Sequence, residues 1–208
     1  MRTFILASVA IASLAACERT ELITPEAGTC DGLEEANRWP WFSDEGPVVT
    51  STGFEVGDTA PDFQLVDQFG EPVCLWQFSG KVVIVDASAL WCGPCKDIAK
   101  HAACVADSYG GELVYLTFIG QDEASAPAEY PDNETWASQF GLSEGSLTPV
   151  VADGTQVFLR QEWAPNFPSF MLLDRDMKIL AKGEGRSAEA EMRAKATEIL
   201  GEPSESCE

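Results

Sequence analysis

The chain has 208 residues, 45% of them hydrophobic and 23% charged, which suits one globular domain with a real core plus flanking segments. Thirteen Lys and Arg face 34 Asp and Glu, for a net charge of −21. No Lys or Arg occurs from 101 to 159, so the basic stripe that nucleic acid requires is missing, and the same charge repels anionic lipid head groups.

The chain opens with Arg2 and an apolar run from Phe4 to Ala16. A basic start, a short apolar stretch and small residues at its end read as a secretory signal, too short to span a bilayer. Leu14-Ala15-Ala16-Cys17 resembles the lipobox of bacterial lipoproteins. That resemblance implies removal of residues 1–16 and a lipid on Cys17 that anchors the chain to a membrane. The chain would then face the periplasm or the cell exterior, where disulfides persist. Six cysteines remain: Cys30, Cys74, Cys92, Cys95, Cys104 and Cys207. An even number permits full pairing.

Residues 17–55 read as a tether and irregular lead-in, rich in Glu, Pro and Gly. Within it, Trp39-Pro40-Trp41-Phe42 is expected to anchor the lead-in on the domain surface; a partner-docking strip is the alternative. The domain itself is expected over 56–202, with a short tail at 203–208. Phe63–Val66 and Pro72–Leu75 flank Asp67-Gln68-Phe69-Gly70, a hairpin signal. Lys81–Asp86 is a β-branched run that predicts a strand buried on both faces. A helix is expected from the cysteine pair to about Ser108, and a second buried strand at Leu113–Ile119. An acidic loop over 121–133 leads to a short helix, Glu134–Phe140. Phe170–Leu173 and Lys178–Ala181 surround another hairpin turn, and Ser187–Leu200 reads as an amphipathic helix. The alternation predicts an α/β fold, a central mixed sheet flanked by helices.

Cys92-Gly93-Pro94-Cys95 follows a buried strand and opens a helix. Unpaired N–H groups and the positive dipole end stabilise a thiolate there, so Cys92 is the expected nucleophile. Cys95, one turn on, can attack a mixed disulfide formed at Cys92. Asp86, placed at the end of the preceding strand, is the candidate acceptor for the Cys95 proton; an exposed strand-end residue is the alternative. Zinc is not expected, because His101 is the one histidine and no second CxxC exists. A Cys–His enzyme fails on distance, and His101 is expected at the surface facing Asp97.

Trp91-Cys92-Gly93-Pro94-Cys95-Lys96 resembles the active-site motif of the thioredoxin superfamily. The entry Gly57–Phe63, the insert before Phe167 and the segment Phe167–Asp174 narrow the resemblance to its extracytoplasmic, membrane-anchored TlpA/ResA-like branch. It covers about residues 55–200. The resemblance implies a thioredoxin fold with an N-terminal hairpin and thiol–disulfide exchange without cofactor or metal. It implies a cis-proline at Pro168, which opens the backbone of residue 167 to substrate. Trp91, Gly93, Pro94, Phe167 and Pro168 are thus candidate substrate-binding residues. Thr117 stands where thioredoxins carry a lysine beside the aspartate, and Phe167 is bulkier than the residue usual there. The expected partners are client proteins with disulfides or dithiols and a membrane-embedded redox partner. The Gly-Pro pair matches reducing thioredoxins. A peroxiredoxin-like thiol peroxidase is the rival, although Ala89 stands where those enzymes place a threonine; a binding module that keeps the fold without catalysis is another. For the remaining cysteines the expected bridges are Cys30–Cys207, tying down both ends, and Cys74–Cys104.

Overall fold

A computed structural model describes residues 37–43, 45–142, 145–154 and 163–207. The signal segment, Cys17 and Cys30 lie outside the described residues. The centre is a seven-stranded mixed sheet: β1 (Gln64–Asp67), β2 (Pro72–Cys74), β3 (Val82–Ala89), β4 (Leu113–Gln121), β5 (Val150–Ala152), β6 (Ser169–Leu173) and β7 (Ile179–Glu184). Their order across the sheet is β2-β1-β5-β4-β3-β6-β7. β3 pairs in parallel with β4, and β4 with β5; the other pairings are antiparallel.

Every residue of β3 is buried, as expected for a β-branched strand in the middle of a sheet. The strand runs three residues past Asp86. Ala87, Ser88 and Ala89 are weak strand formers, and pairing with Phe118, Ile119 and Gln121 of β4 holds them extended. Asp86 is therefore an interior residue, not a strand end. Helix α1 (Gly93–Asp107) follows, and α2 (Tyr130–Phe140) and α3 (Arg186–Leu200) complete the set. α2 begins four residues earlier than its sequence pattern suggests. Glu129 and Asp132 form a reciprocal capping box, and Pro131 sits in the first turn.

The two faces of the sheet bury different partners. Ile84, Tyr115, Phe170 and Leu172 pack with α1, Trp136 of α2 and α3. Val83, Val85, Leu116 and Met171 pack with Trp39, Phe63 and Phe78. Trp39 is the anchor expected of the aromatic strip. It is buried, and its Nε1 donates to Asp67 Oδ2 at 2.6 Å. Asp62 caps the short 3-10 turn at Trp76–Phe78, accepting from the N–H groups of Phe63 and Trp76. Burial, only partly offset by these backbone bonds, pushes its carboxyl up to about 6.

The expected pairing of cysteines is corrected. Cys104 of α1 is bonded to Cys207, neither to Cys74 nor with Cys207 left for Cys30. After Gly201 the tail turns back across the end of α1, where Ser204 N–H donates to Ser108 O at 2.8 Å and Arg193 Nη1 to Cys207 O at 2.9 Å. This path puts the Cys104 and Cys207 Cα atoms 5.8 Å apart, within bridging range. Cys74 is also disulfide-bonded.

Gln68, in the first hairpin turn, is buried and stitches three distant backbone groups. Its Nε2 donates to Leu142 O and Thr148 O, and its Oε1 accepts from Val150 N–H at 2.8 Å. Gln68→Ala should strip all three partners in the interior and lower stability by about 3 kcal/mol, read as a reduced urea midpoint. An unchanged midpoint would show that these backbone groups find other partners.

Candidate active site

The candidate groups lie on β3 and at the start of α1, the next element in the chain. Chain direction carries β3 directly into the turn at Leu90–Trp91, and α1 starts beneath it. Cys92 is the N-cap of α1 with extended backbone, and Pro94 occupies the first turn, where a missing N–H costs nothing. Cys95 N–H donates to Cys92 Sγ at 3.2 Å, so the first free amide of the helix points at the sulfur. Cys92 and Cys95 are joined, S–S 2.05 Å. Both are buried, whereas Trp91 is 44% exposed and Gly93 and Pro94 are exposed.

Trp91 is fixed from two sides. Its Nε1 donates to Gln121 Oε1 at 2.8 Å, and its ring lies edge-on to Phe167, 6.1 Å between centroids. The Phe167–Pro168 bond is cis, as expected. Ser169, next in line, pairs with Ala87 of β3, which brings the proline loop to the end of the sheet that carries the cysteines. Lys96 Nζ reaches Glu123 in the acidic loop at 2.6 Å.

Asp86 shares a face with Ile84, the face that packs against α1 and α3, because side chains alternate along a strand. Its side chain is fully buried. Oδ1 accepts from Ser88 Oγ at 2.8 Å, and Oδ2 has no hydrogen-bond partner among the described residues. Its register partner on β4 is Thr117, so no cation adjoins it on that strand. Burial therefore pushes its carboxyl up to about 7, against the lowering effect of the Ser88 hydrogen bond and with a smaller raising effect from the charge of Glu189. The exposed strand-end alternative is excluded.

Two groups near Asp86 carry no clear sequence signal. Tyr115 lies two residues before Thr117 on β4, buried, its hydroxyl without a hydrogen-bond partner among the described residues. Glu189 lies in the first turn of α3, 7% exposed, with Oε1 3.0 Å from Arg193 Nε. It sits next to Ala188 on a face otherwise apolar at Met192 and Ala196, where sequence reasoning sees only an amphipathic helix. Asp97, the residue expected to face His101, bonds to Lys100 and Arg186.

A buried acid with a raised folded-state pKa binds its proton more tightly in the folded protein than in the unfolded chain. Its protonated form supports the fold, and that support is lost as pH rises from about 4 towards 7. Asp86→Asn should thus match the parent near pH 4 and exceed it above pH 7 by about 4 kcal/mol, measured by urea unfolding across pH. Asp62 titrates in both proteins and cancels in the difference. A gain that does not change with pH would contradict a buried, ionising Asp86.

The AhpC/TSA family model matches residues 56–199. The chain is 27% identical over 128 residues to the thiol–disulfide oxidoreductase ResA of Geobacillus thermodenitrificans, covering 62% of this chain and 68% of that one. It is 39% identical over 84 residues to an H-type thioredoxin of Chlamydomonas reinhardtii, covering 35% of this chain and 74% of that one. Among solved structures it resembles one described as the thiol:disulfide interchange protein DsbE of Chlorobium tepidum, with 26% identity and a TM-score of 0.56, over 69% of this chain and 98% of that one. Together with the seven-stranded sheet and the joined cysteines at the start of α1, these matches mean that the chain belongs to the AhpC/TSA family within the thioredoxin superfamily, alongside its ResA-like thiol–disulfide oxidoreductases.

Proposed function

We propose that this thiol–disulfide oxidoreductase reduces disulfides of client proteins outside the cytoplasm, with Cys92 as nucleophile, Cys95 as resolving thiol and Asp86 as proton acceptor. The observation that carries the reading is the Cys92–Cys95 pair at the N-terminus of α1, with a buried, protonatable carboxylate on the strand that leads into it.

The cycle starts from the dithiol. Cys92 thiolate attacks one sulfur of the client disulfide; a Cys92–client bond forms and the other client sulfur leaves as thiolate. Cys95 gives its proton to Asp86 and attacks Cys92 Sγ. The Cys92–Cys95 bond forms, and the second client sulfur leaves and takes up a proton. The client gains two electrons and the enzyme loses two. A membrane-embedded redox partner returns them. Trp91, Gly93 and Pro94 form the exposed rim that a client meets, and the backbone beside Phe167 and Pro168 receives its strand.

The location follows from the opening segment. Arg2, the apolar run and Leu14–Cys17 support export and a lipid on Cys17, facing the periplasm or cell exterior. Cys17→Ser should move the protein from the membrane fraction to the soluble fraction, because the acidic surface offers no electrostatic substitute. Unchanged retention would refute the lipid anchor.

Cys95→Ser should accumulate mixed disulfides with clients, resolved on non-reducing gels and lost in Cys92→Ser. The reverse pattern would overturn the two roles. A reduction potential near ~−270 mV fits a reductase and one near ~−120 mV an oxidant. Consumption of hydrogen peroxide at rates matching disulfide exchange would instead favour the peroxidase reading, which Ala89, buried and without a hydroxyl, disfavours.

A further inference from the structure

A buried hydroxyl that takes no part in the transfer steps lies against Asp86. Ser88 Oγ donates to Asp86 Oδ1 at 2.8 Å, and both side chains are fully buried. Serine is mostly a surface residue, and a hydroxyl in the interior is costly unless it is bonded. Asp86 is its hydrogen-bond partner among the described residues. The backbone on which Ser88 sits is fixed. The register with β4 runs unbroken to Ser88–Ile119 and shifts immediately after it, while the pairing with β6 ends one residue earlier, at Ala87–Ser169.

Side chains alternate along a strand, so Asp86 and Ser88 share the face of Ile84, which packs into the cluster that holds Cys95. Ser88 stands two residues nearer the turn into α1. Its bond occupies Oδ1, and Oδ2 has no hydrogen-bond partner among the described residues. A carboxyl protonated on Oδ2 keeps a carbonyl oxygen at Oδ1, which still accepts from a hydroxyl. The bond therefore survives proton uptake and release. We propose that Ser88 is the positioning residue of the base: it holds Oδ1 in both protonation states and leaves Oδ2 as the oxygen that takes the Cys95 proton. The S–H bond of Cys95 breaks as the Oδ2–H bond forms, and no electrons change hands at Asp86. The proposal rests on the reading of Asp86 as base and adds the atom that receives the proton and the group that presents it.

The bond also has a direction of effect. A hydroxyl donates more strongly to a carboxylate than to a carboxylic acid, so it favours the ionised form that acts as base. It opposes burial, which is the larger effect. Other charges bear on this interior from the elements around it. Glu189 of α3 acts on Asp86, and Asp86, Glu189 and Arg193 of α3 act on Tyr115 of β4. α1 contributes the Cys92–Cys95 pair, which does not titrate while joined, and His101, whose charge reaches Glu189. β6 has no titratable side chain over Ser169–Leu173. Among the described residues, Ser88 alone hydrogen-bonds to the Asp86 carboxyl.

The test compares the full-length parent with Ser88→Ala, Ser88→Thr and Asp86→Asn. In a carboxyl carbon-13 titration of the oxidised protein, Ser88→Ala should raise the Asp86 inflection by about one pH unit. Loosened packing that admits water would lower it instead, so the sign separates a lost bond from a merely structural effect. Ser88→Thr keeps the hydroxyl and should restore the parental inflection; a threonine variant that behaves like alanine would overturn the role of the hydroxyl. In infrared spectra the carbonyl stretch of the protonated carboxyl, assigned by its loss in Asp86→Asn, should rise in Ser88→Ala, because Oδ1 then accepts no bond. An unmoved stretch would put the proton on Oδ1 and overturn the assignment. Resolution of a Cys92 mixed disulfide, followed by stopped flow, should slow about fivefold at pH 7 in Ser88→Ala and recover at higher pH. If inflection and rate profile both stay put in Ser88→Ala while Asp86→Asn slows resolution, the base stands and Ser88 does not position it. If Asp86→Asn resolves at the parental rate, the base reading falls and the role of Ser88 falls with it.

Discussion

Everything at this site depends on one unfavourable placement: a carboxylate held in the interior of the sheet. Asp86 is buried on an interior strand, bonded once to Ser88 and to no cation on its own sheet neighbours. Leaving water raises its proton affinity into the range where a thiol can deliver a proton to it. The same burial disfavours the ionised fold at neutral pH. The surrounding sheet has to outweigh that cost, which it does by burying the whole of β3 between β4 and β6.

The rest of the site is arranged around this placement. β3 leads directly into the turn that starts α1, so Asp86 and the two cysteines are carried by one continuous segment. β6 closes the other side and sets the proline loop against Trp91. The tail, through Cys104–Cys207, ties the far end of α1 to α3. Stability and the site therefore share elements: the helix that Cys92 caps is clamped at its far end by the tail and near its start by Arg186.

Much of this was legible in the residues. The β-branched run before Cys92 and the CxxC at a helix start each carry a local physical signal, and each lies where it was expected; the cis bond at Phe167-Pro168 was legible only through the family resemblance. Signals failed where structure depends on distant partners. The last three residues of β3 are extended because β4 pairs with them. α2 starts early because Glu129 and Asp132 cap it. β5 has three residues, too few for a period, and exists because it fills the gap between β1 and β4. The Cys104–Cys207 bridge follows from the path of the tail, which no spacing encodes. Glu189 looks like any surface acid on an amphipathic helix until α3 packs against β6 and β7 and buries it.

The measurement closest to the central claim is the rate at which Cys95 resolves a preformed Cys92 mixed disulfide, taken in the parent and in Asp86→Asn from about pH 6 to 9. If Asp86 takes the proton, the variant should resolve slowly below about pH 8 and recover as hydroxide replaces the lost base, while the first attack by Cys92 stays at the parental rate. Identical resolution rates across that range would contradict a proton acceptor at Asp86 and leave its burial without a catalytic purpose.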